Sequence, residues 1–174
     1  VMRTGDDEVA LQLLTEARAT DSLVRELSDA AEEGLDVVGS SPFRLGQRGD
    51  LRRLDDLVEP LDRALRSTRV LVRQTAIVAY HQLSLPPTYA DFCADLAATT
   101  DLVAAALTTE RTAEGARPQL IALAERSSRL TRSDELAGEA VLSQLRSIIA
   151  DLLVVTGLSS LDASDLIPAP RPRG

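Results

Sequence analysis

Few side chains in this sequence could do chemistry, and none stands in a pattern that chemistry requires. His81 is the only histidine and Cys93 the only cysteine. A lone histidine can act as a base, but no G-x-S-x-G, Cys–His or H-E-x-x-H arrangement supplies it with a nucleophile or a metal. It reads as a helix-end residue near backbone carbonyls. Cys93, beside Phe92 in an apolar stretch, reads as a small buried hydrophobe. Asp55, Asp56, Glu59 and Asp62 succeed one another at mostly three- and four-residue steps, the spacing with which helical bundles offer carboxylates to metals. Those sites also draw Glu-x-x-His partners from other helices. The sequence has none, and Arg52, Arg53 and Arg63 lie close enough to neutralise the cluster. Gly46 and Gly49 lack the Lys-Ser/Thr pair of a phosphate-cradling loop. No catalytic, cofactor-binding or metal site is expected, and the chain is not expected to be an enzyme.

The segment 60–80, PLDRALRSTRVLVRQTAIVAY, says more. On a wheel of 100° per residue, Glu59, Asp62, Arg63, Arg66, Arg69 and Arg73 share one face, largely opposite Leu61, Leu65, Val72 and Ala79. Glu59 with Arg63, and Asp62 with Arg66, form i,i+4 pairs with the acid N-terminal, worth about 0.3–0.5 kcal/mol each. Arg69 and Arg73 are left as candidate contacts for an anion, such as a lipid headgroup or an organic carboxylate. Past Arg73 the same face carries Ile77 and Tyr80, with Val70 beside it. A helix that becomes apolar all round is covered by something. Either another helix of the chain covers this end, or Val70, Ile77 and Tyr80 form a surface for a partner.

The elements that hold these residues are helical. Val9, Leu13, Ala17, Val24, Leu27, Ala31 and Val38 repeat at steps of three and four, which predicts a first helix from about Asp7 to Val38. The stretch 39–50, GSSPFRLGQRGD, is a loop, with Asp50 placed to cap the next helix. That second helix is expected from about Leu51 to Leu83, on a stripe of Leu51, Leu54, Val58, Leu61, Leu65, Val72 and Ala79. Pro60 should kink or break it. A third helix runs from Tyr89 to about Thr109. Gly115 and Pro118 interrupt the pattern, which resumes over 119–130. Ser133 with Asp134 caps a last helix, in which Ala137, Val141, Leu145, Ile148, Leu152 and Val155 repeat until Gly157. The reading is an all-α, elongated antiparallel bundle of about four long, partly kinked helices over 1–166. A flexible Pro/Arg tail occupies 167–174.

Composition agrees. The 174 residues include two Phe, two Tyr and no Trp, and every one of the 19 basic residues is Arg. Small aliphatic residues suit helices packed closely along their length. The net charge of −8 is unevenly spread. Residues 1–43 carry ten acids and three Arg, and residues 44–75 carry eight Arg and five acids. An acidic protein with one modest basic segment is not expected to bind nucleic acid. No run of about 18 apolar residues crosses a bilayer. Val1 precedes Met2 and a helix begins almost at once, so a longer parent protein is expected.

At PLDRALRSTRVLVRQT (60–75) and IIADLLVVTGLSSLDA (148–163) the chain resembles the soluble region of actinobacterial membrane proteins of the aromatic acid exporter, or fusaric acid resistance-like, family. The resemblance covers most of the chain. It implies a cytoplasmic helical region that comes after a membrane part exporting small aromatic carboxylates. This region would lie at the cytoplasmic face of the plasma membrane, serve assembly or regulation, and contact copies of itself, its own membrane domain, or weakly an anionic lipid headgroup. Two other readings stand beside it: a free-standing helical interaction module resembling phosphate-uptake regulators, and the ligand-sensing domain of a transcriptional regulator.

Overall fold

In the computed structural model the chain is built of helices, with no strand among the described residues. The structure describes residue 2 and residues 6–39, 48–110 and 112–172. Helix α1 spans Asp7–Gly39, α2 Arg48–Tyr80, α3 Thr88–Glu110, α4 Arg117–Ser127, α5 Leu136–Val155 and α6 Ser160–Asp165. A 3-10 turn, Glu114–Ala116, precedes α4. At 1.5 Å per residue, each 33-residue helix of the α1–α2 pair is about 50 Å long. Of the expected loop over 39–50, residues 40–47 lie outside the described ones. Because α2 begins at Arg48, Asp50 falls in its first turn rather than at its cap.

The core gathers around α5. Val141, Leu142, Leu145, Ile148, Ile149, Leu152, Leu153 and Val155 are all buried, more than one stripe of a helix. The reason is that α5 touches four other helices: α2, α3, α4 and α6. Tyr89, Phe92, Leu96 and Val103 of α3, Leu120, Leu123 and Ala124 of α4, and Ala163 of α6 complete the core. By contrast, α1 packs on α2 alone. Its contact is made by small residues, with Ala10 and Ala31 buried, whereas Val9, Leu11, Leu13 and Leu23 stay substantially exposed.

Pro60 does not break α2, which runs through it. Proline forfeits one backbone bond inside a helix. In α2 it shares the buried face of Ala64, Leu71, Thr75 and Val78, so packing offsets that loss. The helix ends at a left-handed residue, Gln82 (φ 52°), whose N–H donates to the Ala79 carbonyl, while Leu83 N–H reaches Val78 O at 2.9 Å. This is the Schellman pattern, normally built on glycine. Gly157 (φ 94°) ends α5 with its N–H on the Val154 carbonyl.

Ser133 prepares α5, though not as a simple cap. Its hydroxyl accepts from Glu135 N–H at 3.1 Å, and its own N–H donates to the Glu139 carboxylate at 3.0 Å. Arg132 clasps the same carboxylate. Residues 167–172 are fastened to the body. Ile167 packs on the core, the Pro168 carbonyl accepts from Arg146, and Arg171 N–H donates to Ser128 O.

Candidate interaction surface

Helix α2 presents three faces. One, through Ala64, Leu71 and Val78, is buried on the side that meets α5, and a second lies against α1. The third, holding Glu59, Arg63, Arg66, Val70, Arg73 and Ile77, points away from the main contacts of both. Two ion pairs fix its margins. Arg69 reaches Asp21 of α1 at 2.6 Å, and Arg63 reaches Asp151 of α5 at 3.1 Å.

The i,i+4 pairs of the sequence form as expected, Glu59 with Arg63 at 2.8 Å and Asp62 with Arg66. Arg69, a candidate anion contact in the sequence, meets the chain's own Asp21 and Thr20. That partner comes from α1, and no i,i+4 rule could have named it. Arg73 makes no ion pair among the described residues and is exposed. Val70 is half-buried, Ile77 is 37% exposed and Tyr80 74% exposed. Internal cover of this end is therefore incomplete, and an apolar patch beside an exposed guanidinium remains. His81 is also exposed, its ring meeting that of Tyr80 edge-on at 5.1 Å.

The carboxylates singled out in the sequence line a groove of about 500 Å³ between α1 and α2. Asp55, Asp56, Glu59 and Asp62 face it together with Arg25 of α1. No group of three His, Cys, Asp or Glu residues able to hold a metal occurs among the described residues. Cys93 is half-buried, and burial pushes its thiol pKa up, away from the reactive thiolate.

One buried polar group lies outside this surface. The Tyr89 hydroxyl is fully enclosed and makes no hydrogen bond of ordinary geometry. Burial, with the Glu139 carboxylate adding to it, pushes its pKa up to about 12, against smaller opposing effects from the Ser133 backbone and Arg132. The Ser133 backbone approaches this hydroxyl without reaching ordinary hydrogen-bond geometry, and a buried hydroxyl so weakly compensated is destabilising. Tyr89→Phe is therefore expected to leave stability unchanged or raise it by up to about 1 kcal/mol, where a bonded tyrosine would lose a similar amount. Thermal unfolding of the two proteins checks this.

Among the described residues one helix, α3, is long and apolar enough to cross a membrane, with a mean hydropathy of 1.2 over Thr88–Thr109. It carries Asp91, Asp95 and Asp101 and sends Tyr89, Phe92, Leu96 and Val103 into the core, while only 22% of its apolar window is buried.

No protein-family model matches the chain, and no solved structure matches it. An uncharacterized protein of Corynebacterium glutamicum is 29% identical over 160 residues, which cover 86% of this chain. The chain spans 40% of the length of that relative.

Proposed function

We propose that this chain acts by contact rather than by catalysis, as the assembly or regulatory domain of a longer membrane protein similar to the aromatic acid exporters. The observation that carries the reading is the end of α2. Val70, Ile77 and Tyr80 lie on a helix that has no acid after Asp62, and two of the three are substantially exposed. Exposed apolar side chains gathered at one place mark contact sites more often than chemistry. A relative more than twice as long supports the idea that such a bundle works as part of something larger. In this reading the bundle lies at the cytoplasmic face of the membrane, and transport belongs to residues elsewhere in the parent protein.

Ile77→Asp tests it. The side chain is already part-exposed, so the isolated bundle is expected to lose less than about 1 kcal/mol. Assembly of the full-length parent protein, monitored by native electrophoresis or light scattering, is expected to fail. Unchanged assembly with unchanged stability sinks the reading. The reading frame around the chain gives a second check. Several hydrophobic spans upstream support the exporter, whereas an upstream helix-turn-helix overturns it in favour of a transcriptional regulator.

A further inference from the structure

The open face of α2 is charged asymmetrically along its length. At its N-terminal end lies the groove that gathers Asp55, Asp56, Glu59 and Asp62 against Arg25. Toward its C-terminal end, residues 63–80 hold four arginines and no acid. Three of these, Arg63, Arg66 and Arg69, are paired within the chain. Arg73 is the one left without an ion pair among the described residues, and it stands between Val70 and Ile77 at helical spacing. Glu59 and Asp62 are the partners of Arg63 and Arg66, so Asp55 and Asp56 are the acids of the groove without an ion pair among the described residues, and the face carries unspent acid at one end and Arg73 with apolar side chains at the other.

We propose that a second copy of the chain covers this face, antiparallel to the first, about a twofold axis that passes through the open face beside Arg66, level with Leu65 along the helix. The inference rests on the contact reading above and names the partner. A twofold contact is self-complementary, so every interaction occurs twice. With the axis level with Leu65, Arg73 of one copy lies eight residues, about 12 Å, from the axis, and Asp55 of the other ten residues, about 15 Å. The two are within side-chain reach. Each basic end meets the partner's acidic groove, and Val70 and Ile77 leave water at both ends of the contact. Two α1–α2 layers joined in this way form a four-helix arrangement, in which the helix pair that α1 leaves open in one chain is closed by the other. Charge selects this occupant over an anionic membrane. A net charge of −8 is repelled by such a surface as a whole, while a face with both signs, one at each end, is matched by its own reverse.

Sedimentation velocity of the 174-residue chain, over a range of micromolar concentrations and at low and high salt, tests the proposal. The expected result is a reversible dimer that weakens with salt. Arg73→Glu and Asp55→Arg should each weaken it about tenfold or more, and the double variant should regain most of that loss, because the exchanged charges meet again across the axis. Far-UV circular dichroism shows that each variant is folded. A wild type that stays monomeric at every concentration overturns the twofold, as do single variants whose loss the double does not repair. Binding of a monomeric wild type to phosphatidylserine vesicles also overturns it, with a membrane then the occupant. If the wild type is monomeric and Ile77→Asp still blocks assembly of the parent protein, the twofold falls and the contact reading stands.

Discussion

Replacing Gly138 by alanine is expected to destabilise the bundle by about 2 kcal/mol, although the same exchange normally helps a helix. Gly138 lies in the first turn of α5, where alanine would contribute up to about 1 kcal/mol through propensity. A methyl group there would stand 2.2 Å from Ser133 Oγ, 2.4 Å from Ser133 Cβ and 3.0 Å from a Leu85 methyl. Ser133 has little freedom to move. It is buried, its N–H is held by Glu139, and its hydroxyl holds Glu135 N–H. Moving it would loosen the Arg132–Glu139 clasp and the packing around Tyr89, since those groups share one small volume. For a domain of this size, about 2 kcal/mol corresponds to a fall in Tm of roughly 4–8 °C. The variant with a smaller neighbour, Gly138→Ala with Ser133→Gly, should recover part of the loss by removing the atoms that clash. Thermal unfolding of the two variants decides the point. Equal stability of Gly138→Ala and the wild type would mean that the approach of the 131–135 segment to α5 is not tight.

The helix limits were legible because the sequence punctuates them. Expected helices of about 7–38, 51–83 and 89–109 meet observed ones of Asp7–Gly39, Arg48–Tyr80 and Thr88–Glu110. Gly157, read as the stop of the last helix, takes the left-handed conformation that glycine permits. The features that stayed hidden were set by neighbours or by very short signals. Of the single stripe read on α2, Ala79 is buried, Val58, Leu61, Leu65 and Val72 are half-buried and Leu54 is exposed, while the other buried positions include Ala64, Leu71, Thr75 and Val78. A helix lying between two others has two contact faces, and a one-stripe pattern averages them. Helix α6 is too short for periodicity to reveal. Its sign is Ser159 with Asp162 three residues on, and the structure shows the Ser159 hydroxyl accepting from Asp162 N–H at 3.1 Å.

The candidate surface was half legible. Local pairs one turn apart come directly from helical geometry, so Glu59–Arg63 and Asp62–Arg66 could be written down from the sequence. The exposure of Ile77 and Tyr80 could only be posed as a choice, because periodicity does not say whether a neighbouring helix extends far enough to cover them. Pairs that cross between helices, Arg69–Asp21 and Arg63–Asp151, depend on the register of α1 and α5 along α2. No spacing along one helix encodes that register. Those pairs fix the direction of the open face, so the most useful fact about the surface is also the one the sequence hid.

Arg63→Ala is expected to destabilise the bundle by about 1–3 kcal/mol at neutral pH, and the loss should shrink on acidification. Asp151 is the reason. Its side chain is only 15% exposed, in the contact between α2 and α5, and burial raises its pKa above the ordinary 3.8 despite the opposing pull of Arg63. Desolvation therefore outweighs the ion pair, and the folded state holds the Asp151 proton more firmly than the unfolded state does. Linkage sets the sign. An acid whose folded pKa is raised weakens folding above that pKa, and the penalty is relieved as pH falls through it toward the ordinary carboxylate range. Removing Arg63 deletes both influences that lower the Asp151 pKa, so the penalty at neutral pH grows and the relief begins at higher pH. Arg63 is itself 36% exposed, and water entering its place keeps the loss below that of a fully buried pair. Asp151→Asn tests the same account from the other side. It removes the desolvated charge, so its cost at neutral pH should be under about 1 kcal/mol, and combined with Arg63→Ala it should restore much of the single variant's loss. Urea unfolding of the three variants at several pH values checks each step. A loss in Arg63→Ala that is constant with pH, or that Asp151→Asn deepens, would show that Arg63 acts through packing of its aliphatic stem on α5 rather than through the Asp151 charge.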